Sequence, residues 1–217
     1  MAHIAILGLG NWGTAVARMW LLEGHKVKGW TIEQEVYESV VMDGINKKYL
    51  PNHSVEGLEA TMRLDEALDG VEIVVLAIPS SVILDVVDEV IPHLRPGHVL
   101  IDLAKGLAPG KRLISQAIHE KLNAAQKANP LAVVTGPTIA PEAAGGVITT
   151  ALVASEDESI AKRLAETLTT QTFILHSASD PVGAELWGAF KNVIALTCGL
   201  VDGLKKVGTL GLSLIHI

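Results

Sequence analysis

An alternation of two patterns limits what this chain can fold into. Short runs of Ile, Val and Leu recur, and each is followed by a stretch whose apolar residues carry helical spacing. Residues 3–7, 72–78, 99–104 and 132–135 read as strands buried on both faces, because their apolar side chains fall on consecutive positions. Residues 26–31, 149–154 and 172–176 read as further strands. Residues 14–23, 33–43, 64–68, 81–94, 113–128 and 158–168 read as helices, with Gly24, Asp69-Gly70 and Arg95-Pro96-Gly97 as stops. Residues 44–59 read as a loop broken by Pro51, Asn52 and Gly57. Buried strands joined by helices require crossovers, so the expected fold class is α/β, a Rossmann-type doubly wound parallel sheet. Beyond Asp180-Pro181 the pattern changes to one long apolar helical stretch, 182–204, with no strand behind it. Residues 1–180 are therefore expected to form one domain, and residues 181–217 the beginning of an all-helical second domain.

Composition excludes several classes. Half of the 217 residues are hydrophobic (49 %), enough to offset ordering entropy, so disorder is excluded as the main state. The most apolar run, 73–78, stops at Pro79, far short of the ~18 residues a membrane span needs. Asp and Glu number 24 against 17 Lys and Arg, a net charge of −7 with no basic tract, which argues against non-specific nucleic-acid binding. The single cysteine, Cys198, forbids an internal disulfide and reads as a core thiol. The eight histidines show no metal-binding spacing. The chain begins directly with a strand, without a basic-then-apolar leader, so the default compartment is the cytoplasm.

The strongest motif is Gly8-Leu9-Gly10-Asn11-Trp12-Gly13, a G-x-G-x-x-G turn between a strand and a helix. The first glycine permits the tight turn, the second admits a pyrophosphate against the backbone, and the third lets helix and strand pack closely. The helix start offers free N–H groups and the positive end of its dipole. Glu33 lies about 20 residues further on, where an acid can accept from the 2′-hydroxyl of an adenosine ribose. The alternatives are a turn that merely packs a βα unit and, for Glu33, a solvated charge.

Three further blocks carry candidate chemistry. Lys105 follows a strand and points into the crevice where such sheets bind ligands, or it is an ordinary surface lysine. Residues 135–140, Thr-Gly-Pro-Thr-Ile-Ala, offer hydroxyl donors on a turn, or serve as a structural turn alone. Lys191 stands among Leu186, Phe190, Val193, Ile194 and Leu196, which are expected to be buried around it. Such a lysine has a lowered pKa and suits proton transfer, or it snorkels, with Glu185 a poor helical partner six residues away.

These blocks, in this order, resemble the NAD(P)-dependent glycerol-3-phosphate dehydrogenases. The likeness rests on the turn at 8–13, Ile45-Asn46 with Tyr49-Leu50-Pro51, Ile78-Pro79-Ser80 and Lys105-Gly106. It continues through residues 136–140 with Glu142, Glu185-Leu186, Gly188-Ala189, residues 191–195 and Asp202-Gly203, nearly the whole chain to about Gly203. It implies reversible hydride transfer between NAD(P)H and dihydroxyacetone phosphate, giving sn-glycerol 3-phosphate for phospholipid synthesis, in a homodimer. It implies that Lys191 accepts the proton when glycerol 3-phosphate is oxidised and that Lys105 contacts both substrate and cofactor. By the same resemblance Gly136 and Thr138 contact substrate, Ala140 contacts cofactor, and Gly8, Leu9, Gly10, Asn11, Trp12 and Gly13 form the pyrophosphate turn. Competing readings are a dinucleotide-binding module without catalysis and a related 3-hydroxyacid or 6-phosphogluconate-type dehydrogenase.

The chain departs from the family at three places. Many bacterial members carry a basic residue after the second strand, able to meet a 2′-phosphate. Here Ile32 cannot pair with phosphate and Glu33 repels it, which favours NAD over NADP. Trp187 stands where the family usually has a small residue. The family's further helical domain, with an Asp and an Arg-Asn pair, does not follow, and residues 212–217 do not resemble its continuation. A truncated or read-through end is the expectation, with an apolar surface bared around Lys191 and a chain that binds cofactor with little turnover.

Overall fold

The computed structural model describes residues 1–206. The tail at 212–217 lies outside the described residues. In chain order the elements are β1 (His3–Leu7), α1 (Asn11–Leu22), β2 (Lys26–Trp30), α2 (Gln34–Asp43), β3 (Glu59–Thr61), α3 (Leu64–Leu68) and β4 (Ile73–Leu76). They continue with α4 (Ile83–Val90), β5 (Val99–Asp102), α5 (Ile114–Ala124), β6 (Leu131–Thr135) and α6 (Ala140–Ala144). The last are β7 (Thr149–Ala154), α7 (Glu158–Leu168), β8 (Phe173–Ala178) and α8 (Pro181–Lys206).

The eight strands form one sheet in the order β3-β2-β1-β4-β5-β6-β7-β8. From β1 the chain moves outward to β2 and β3, then returns to place β4 on the other side of β1. The C-terminal ends of β1 and β4 are therefore the switch point at which such sheets open a crevice. Consecutive apolar residues serve both faces, as the strand patterns predict. Ile4 and Ile6 join one buried layer with Val75 and Ile101, while Ala5 and Leu7 join the other with Val74, Leu76 and Leu100. Each large side chain so buried contributes about 1.5–3 kcal/mol. Trp20 fills the first layer and donates its indole N–H to Leu168 O at 3.0 Å, fastening α1 to the end of α7.

Four expectations need correction. The sheet is not wholly parallel, because β6 and β7 pair antiparallel. The connection between them holds only the five-residue α6, which lies against α1, where Arg18 Nε donates to Ala144 O at 3.1 Å. No helix is left to carry the chain back over the sheet, so β7 returns beside β6, and β7 and β8 run parallel to each other through α7. The short β3 completes the sheet edge from the last residue of the 44–59 loop onward, where no strand is expected, and its three residues are too few to show a period. The first helix starts at Asn11, within the glycine motif, not after it. Finally, the apolar residues around Lys191 are not buried: Leu186, Phe190, Val193, Ile194 and Leu196 are all exposed, as are Trp187 and Cys198.

α8 packs on the sheet against β6 and β7, with Ala184 and Glu185 buried near its start. Gly188 permits this approach, since a Cβ there would collide with the Thr135 hydroxyl. Asp180 Oδ1 accepts from Gly183 N at 2.8 Å and caps the helix start. Beyond Lys191 the helix bends by about 40°, and among the described residues no single helix is long and apolar enough to cross a membrane.

Glu185 fastens α8 to the sheet. Its buried carboxylate accepts from Ile114 N at 2.5 Å, from Ser115 N at 3.3 Å and from the Ser115 hydroxyl, so a residue of α8 caps the N-terminus of α5. Asp102, the last residue of β5, lies close by, fully buried, with Oδ1 accepting from Ala104 N at 2.8 Å. Burial, with the Glu185 charge adding, pushes its carboxyl up to about 8.

Both groups carry stability predictions. Glu185→Ala leaves buried donors unpaired at a cost of about 1–3 kcal/mol, while Glu185→Gln keeps an acceptor and costs less. Thermal unfolding should rank wild type above Gln above Ala, and equal melting temperatures would refute the cap. Asp102 holds its proton in the folded state but ionises near 4 when unfolded, so its contribution to stability falls as pH rises from about 4 to about 8. Asp102→Asn should flatten that decline in denaturant titrations across this range, and an unchanged slope would show that Asp102 does not titrate as described.

Candidate functional site

The turn after β1 is built by close approach. Gly8 has φ +102°, and a Cβ on it would lie 2.5 Å from Ala77 O, at the end of β4. A Cβ on Gly13 would collide with Gly8 O. Gly10 differs: it precedes α1 with an ordinary φ of −72°, and a Cβ there would meet nothing within 4 Å. Packing explains the first and third glycines and leaves the second unexplained. The open space over Gly10, beside the free N–H groups of α1, is the cradle expected for a pyrophosphate.

Asn46 supports this turn and was missed as a functional residue by sequence reasoning, although it belongs to a motif that carries the family resemblance. It is wholly buried, donates from Nδ2 to Leu9 O at 2.8 Å and to Thr14 Oγ1 at 2.9 Å, and accepts at Oδ1 from Tyr49 N at 3.1 Å. A polar residue inside a loop gives no periodic signal, so only the motif could have revealed it.

A cleft of about 610 Å³ opens over the turn. All six residues at 8–13 line it, with Ile32, Glu33 and Tyr49 at one end and residues 77–80 and 103–105 along the rest. Glu33 accepts from the Tyr49 hydroxyl at 2.8 Å and from Lys48 Nζ at 2.6 Å. The Lys48 ammonium, helped by the Tyr49 hydroxyl, holds its carboxyl below the usual carboxylate range, against the opposing pull of burial. Glu33 is therefore ionised and able to accept from a ribose hydroxyl.

The two candidate lysines reach the same segment after β6. Lys105 Nζ donates to Thr138 Oγ1 at 3.1 Å, and Lys191 Nζ donates to Gly136 O at 3.4 Å. Lys105 Nζ sits 5.8 Å from the centroid of the Trp12 ring. Burial pushes its ammonium below the usual lysine range, and the charge of Lys191 adds to the shift. Lys191 and Gly136 line a second cavity of about 340 Å³ with Trp187 and His176. Ala140 does not line the large cleft. It begins α6 in a small apolar cluster with Ala15, Leu50 and Ala144, next to Trp12.

The glycines provide a test of the cradle. Gly10→Ala costs at most about 1 kcal/mol, the difference between Gly and Ala at an N-cap, yet fills the space over the helix start. It should fold like wild type and lose at least tenfold in affinity for a dinucleotide, whereas Gly8→Ala should lower the melting temperature as well. Paired thermal unfolding and NADH fluorescence titrations check both, and undiminished binding by Gly10→Ala would rule out the cradle.

Known proteins share this sequence and arrangement. Residues 3–161 match the family model described as NAD-dependent glycerol-3-phosphate dehydrogenase N-terminus, and residues 180–216 match the corresponding C-terminus. A glycerol-3-phosphate dehydrogenase [NAD(P)+] of Coxiella burnetii is 35 % identical over 203 residues, covering 93 % of this chain and 60 % of the relative. One from an Exiguobacterium species is 39 % identical over 206 residues, covering 94 % and 60 %. This chain thus spans about 60 % of the length of these curated relatives. The crystal structure of the Coxiella burnetii enzyme superposes with a TM-score of 0.83 at 35 % identity, over 94 % of this chain and 62 % of that one. Two family models in tandem and agreement of the fold over 94 % of this chain lead to one conclusion: the chain belongs to the NAD-dependent glycerol-3-phosphate dehydrogenase family.

Proposed function

We propose that this protein carries out the reversible transfer of hydride between NAD(P)H and dihydroxyacetone phosphate, giving sn-glycerol 3-phosphate, with NAD favoured. The observation that carries this reading is the convergence of Lys105 and Lys191 on residues 136–138, beside a cleft whose glycine turn has room for a pyrophosphate. In this assignment residues 1–180 bind the dinucleotide and residues from 181 onward begin the second domain.

The residues divide the work as follows. The backbone at Gly10, Asn11 and Trp12 meets the pyrophosphate, and Glu33 accepts from the adenosine ribose. The nicotinamide, when bound, accepts hydride from a secondary alcohol or donates it to the ketone. Lys191 Nζ takes the hydroxyl proton as the alcohol is oxidised and returns it in the reverse direction. Lys105 keeps the substrate oxygen oriented and stabilises negative charge as it develops. Thr138 and Gly136, which already accept from these lysines, offer polar contacts to the substrate in exchange.

A second reading rests on the exposed apolar face of α8. Val193, Leu196 and Leu200 are each more than half exposed around the proton-transfer lysine. A helix so bared favours a dinucleotide-binding unit with little turnover of its own. One titration separates the two. NADH should bind saturably, and its oxidation should require dihydroxyacetone phosphate and fall by roughly 10²–10⁴ in Lys191→Ala. Binding with no oxidation supports the second reading, and oxidation that survives in Lys191→Ala removes the role given to Lys191.

A further inference from the structure

Behind Glu33, at the proposed ribose end of the cleft but outside its lining, stands a cation that sequence reading did not place there, Lys48. Lys48 and Tyr49 come from the loop ordered by Asn46, and they grip Glu33 at both carboxylate oxygens, Lys48 at Oε2 and Tyr49 at Oε1. Lys48 also pairs with Glu35, in the first turn of α2. Two carboxylates and one ammonium leave this corner with a net charge of −1. The other cations along this edge are engaged elsewhere. Lys47 pairs with Asp43 at 2.8 Å, Arg63 with Asp65 and Glu66, and Lys28 Nζ donates to Glu66 O and Asp69 O. Ile32, on the cleft's rim, has no polar side-chain atom.

We propose that Lys48 is the residue on which cofactor choice turns: paired with Glu33 and Glu35 it makes the pocket select a 2′-hydroxyl, and unpaired it becomes the anchor for a 2′-phosphate. This inference rests on the dinucleotide reading above. A ribose hydroxyl needs an acceptor, and an ionised, immobilised Glu33 supplies one, since each carboxylate oxygen has a lone pair beyond those already used. A 2′-phosphate in the same place meets that carboxylate, and among the described residues the cations along this edge are already paired, so like charges at such distances repel. The ammonium is already there, 2.6 Å from the Glu33 carboxylate. Removing the two charges that occupy it therefore exposes a phosphate anchor without building one.

Two consequences run in opposite directions for the same side chain. In the native background Lys48→Met removes the positive charge, takes this corner from −1 to −2 and frees the Glu33 carboxylate to move, so it weakens NADH and gives no gain for NADPH. In a Glu33→Gln/Glu35→Gln background, Lys48 should improve NADPH, and Lys48→Met should remove that gain.

The test is fluorescence titration of NADH and NADPH on the whole chain, at low and moderate salt. Wild type should bind NADH at least tenfold more tightly than NADPH. Glu33→Gln/Glu35→Gln should tighten NADPH at least tenfold, and this gain should shrink as salt rises. Adding Lys48→Met should abolish the gain, while adding Lys48→Arg should keep it. A gain that survives Lys48→Met would overturn the role of Lys48 while leaving the dinucleotide site intact, as would equal affinities in wild type. Failure of wild type to bind either dinucleotide would sink the site reading itself, and this inference with it.

Discussion

The structure depends on one close approach, the packing of the turn at 8–13 against the end of β4. Gly8 can take its positive φ and lie against Ala77 O only because it has no Cβ, and Gly13 can pass over Gly8 for the same reason. That contact brings α1 directly off β1 at the point where the strand order reverses. The first free N–H groups of the helix then face the cleft and not the core. Asn46 secures the arrangement from the other side by satisfying Leu9 O, a carbonyl that the sharp turn takes out of the sheet ladder. The same side chain orders the loop that delivers Tyr49 and Lys48 to Glu33. Turn geometry and the charge pairing around Glu33 are thus linked through a single buried amide.

Much of this was legible in the sequence, for reasons that can be named. β1, β4 and β5 are buried on both faces, so their unbroken apolar runs announce a covered parallel sheet without any alignment. The glycine turn was legible because two of its three glycines answer a steric demand that no other residue meets. What stayed hidden has local signals too weak to read. β3 has three residues, and α6 has five with a proline among them. The direction of β7 depends on whether a helix crosses the sheet before it, a property of tertiary packing and not of any window of sequence. Glu33 is singled out in the sequence by its distance from the turn, but its partners Lys48 and Tyr49 belong to a loop whose path no periodicity describes.

The environment of Lys191 is the most instructive difference. Apolar neighbours at helical spacing predict burial, and the helix instead exposes them. Periodicity reports that a face is apolar. It does not report what covers that face, because the covering surface is encoded elsewhere. Glu185 shows the complementary case. Considered within its helix it has no partner, yet across space it caps α5 and so fixes where α8 leaves the sheet. With Glu185 held, Lys191 lies less than two turns further along a helix already fastened at its base, and its reach to Gly136 O follows from that anchorage.

The distribution of charge ties these pieces together. The chain carries a net −7, so no general field draws an anionic ligand toward it. Positive potential has to be made locally, and the fold does so by three different means. At the pyrophosphate turn it uses backbone N–H groups, which carry no formal charge and cannot be neutralised by a neighbouring acid. At residues 136–138 it uses two lysines, whose ammonium groups meet the Thr138 hydroxyl and the Gly136 carbonyl. At the ribose end it places a lysine and then cancels it with two carboxylates. Only the last of these can be reversed by removing charge and building nothing, and that is the physical ground for proposing that a choice between two cofactors differing by one phosphate resides there.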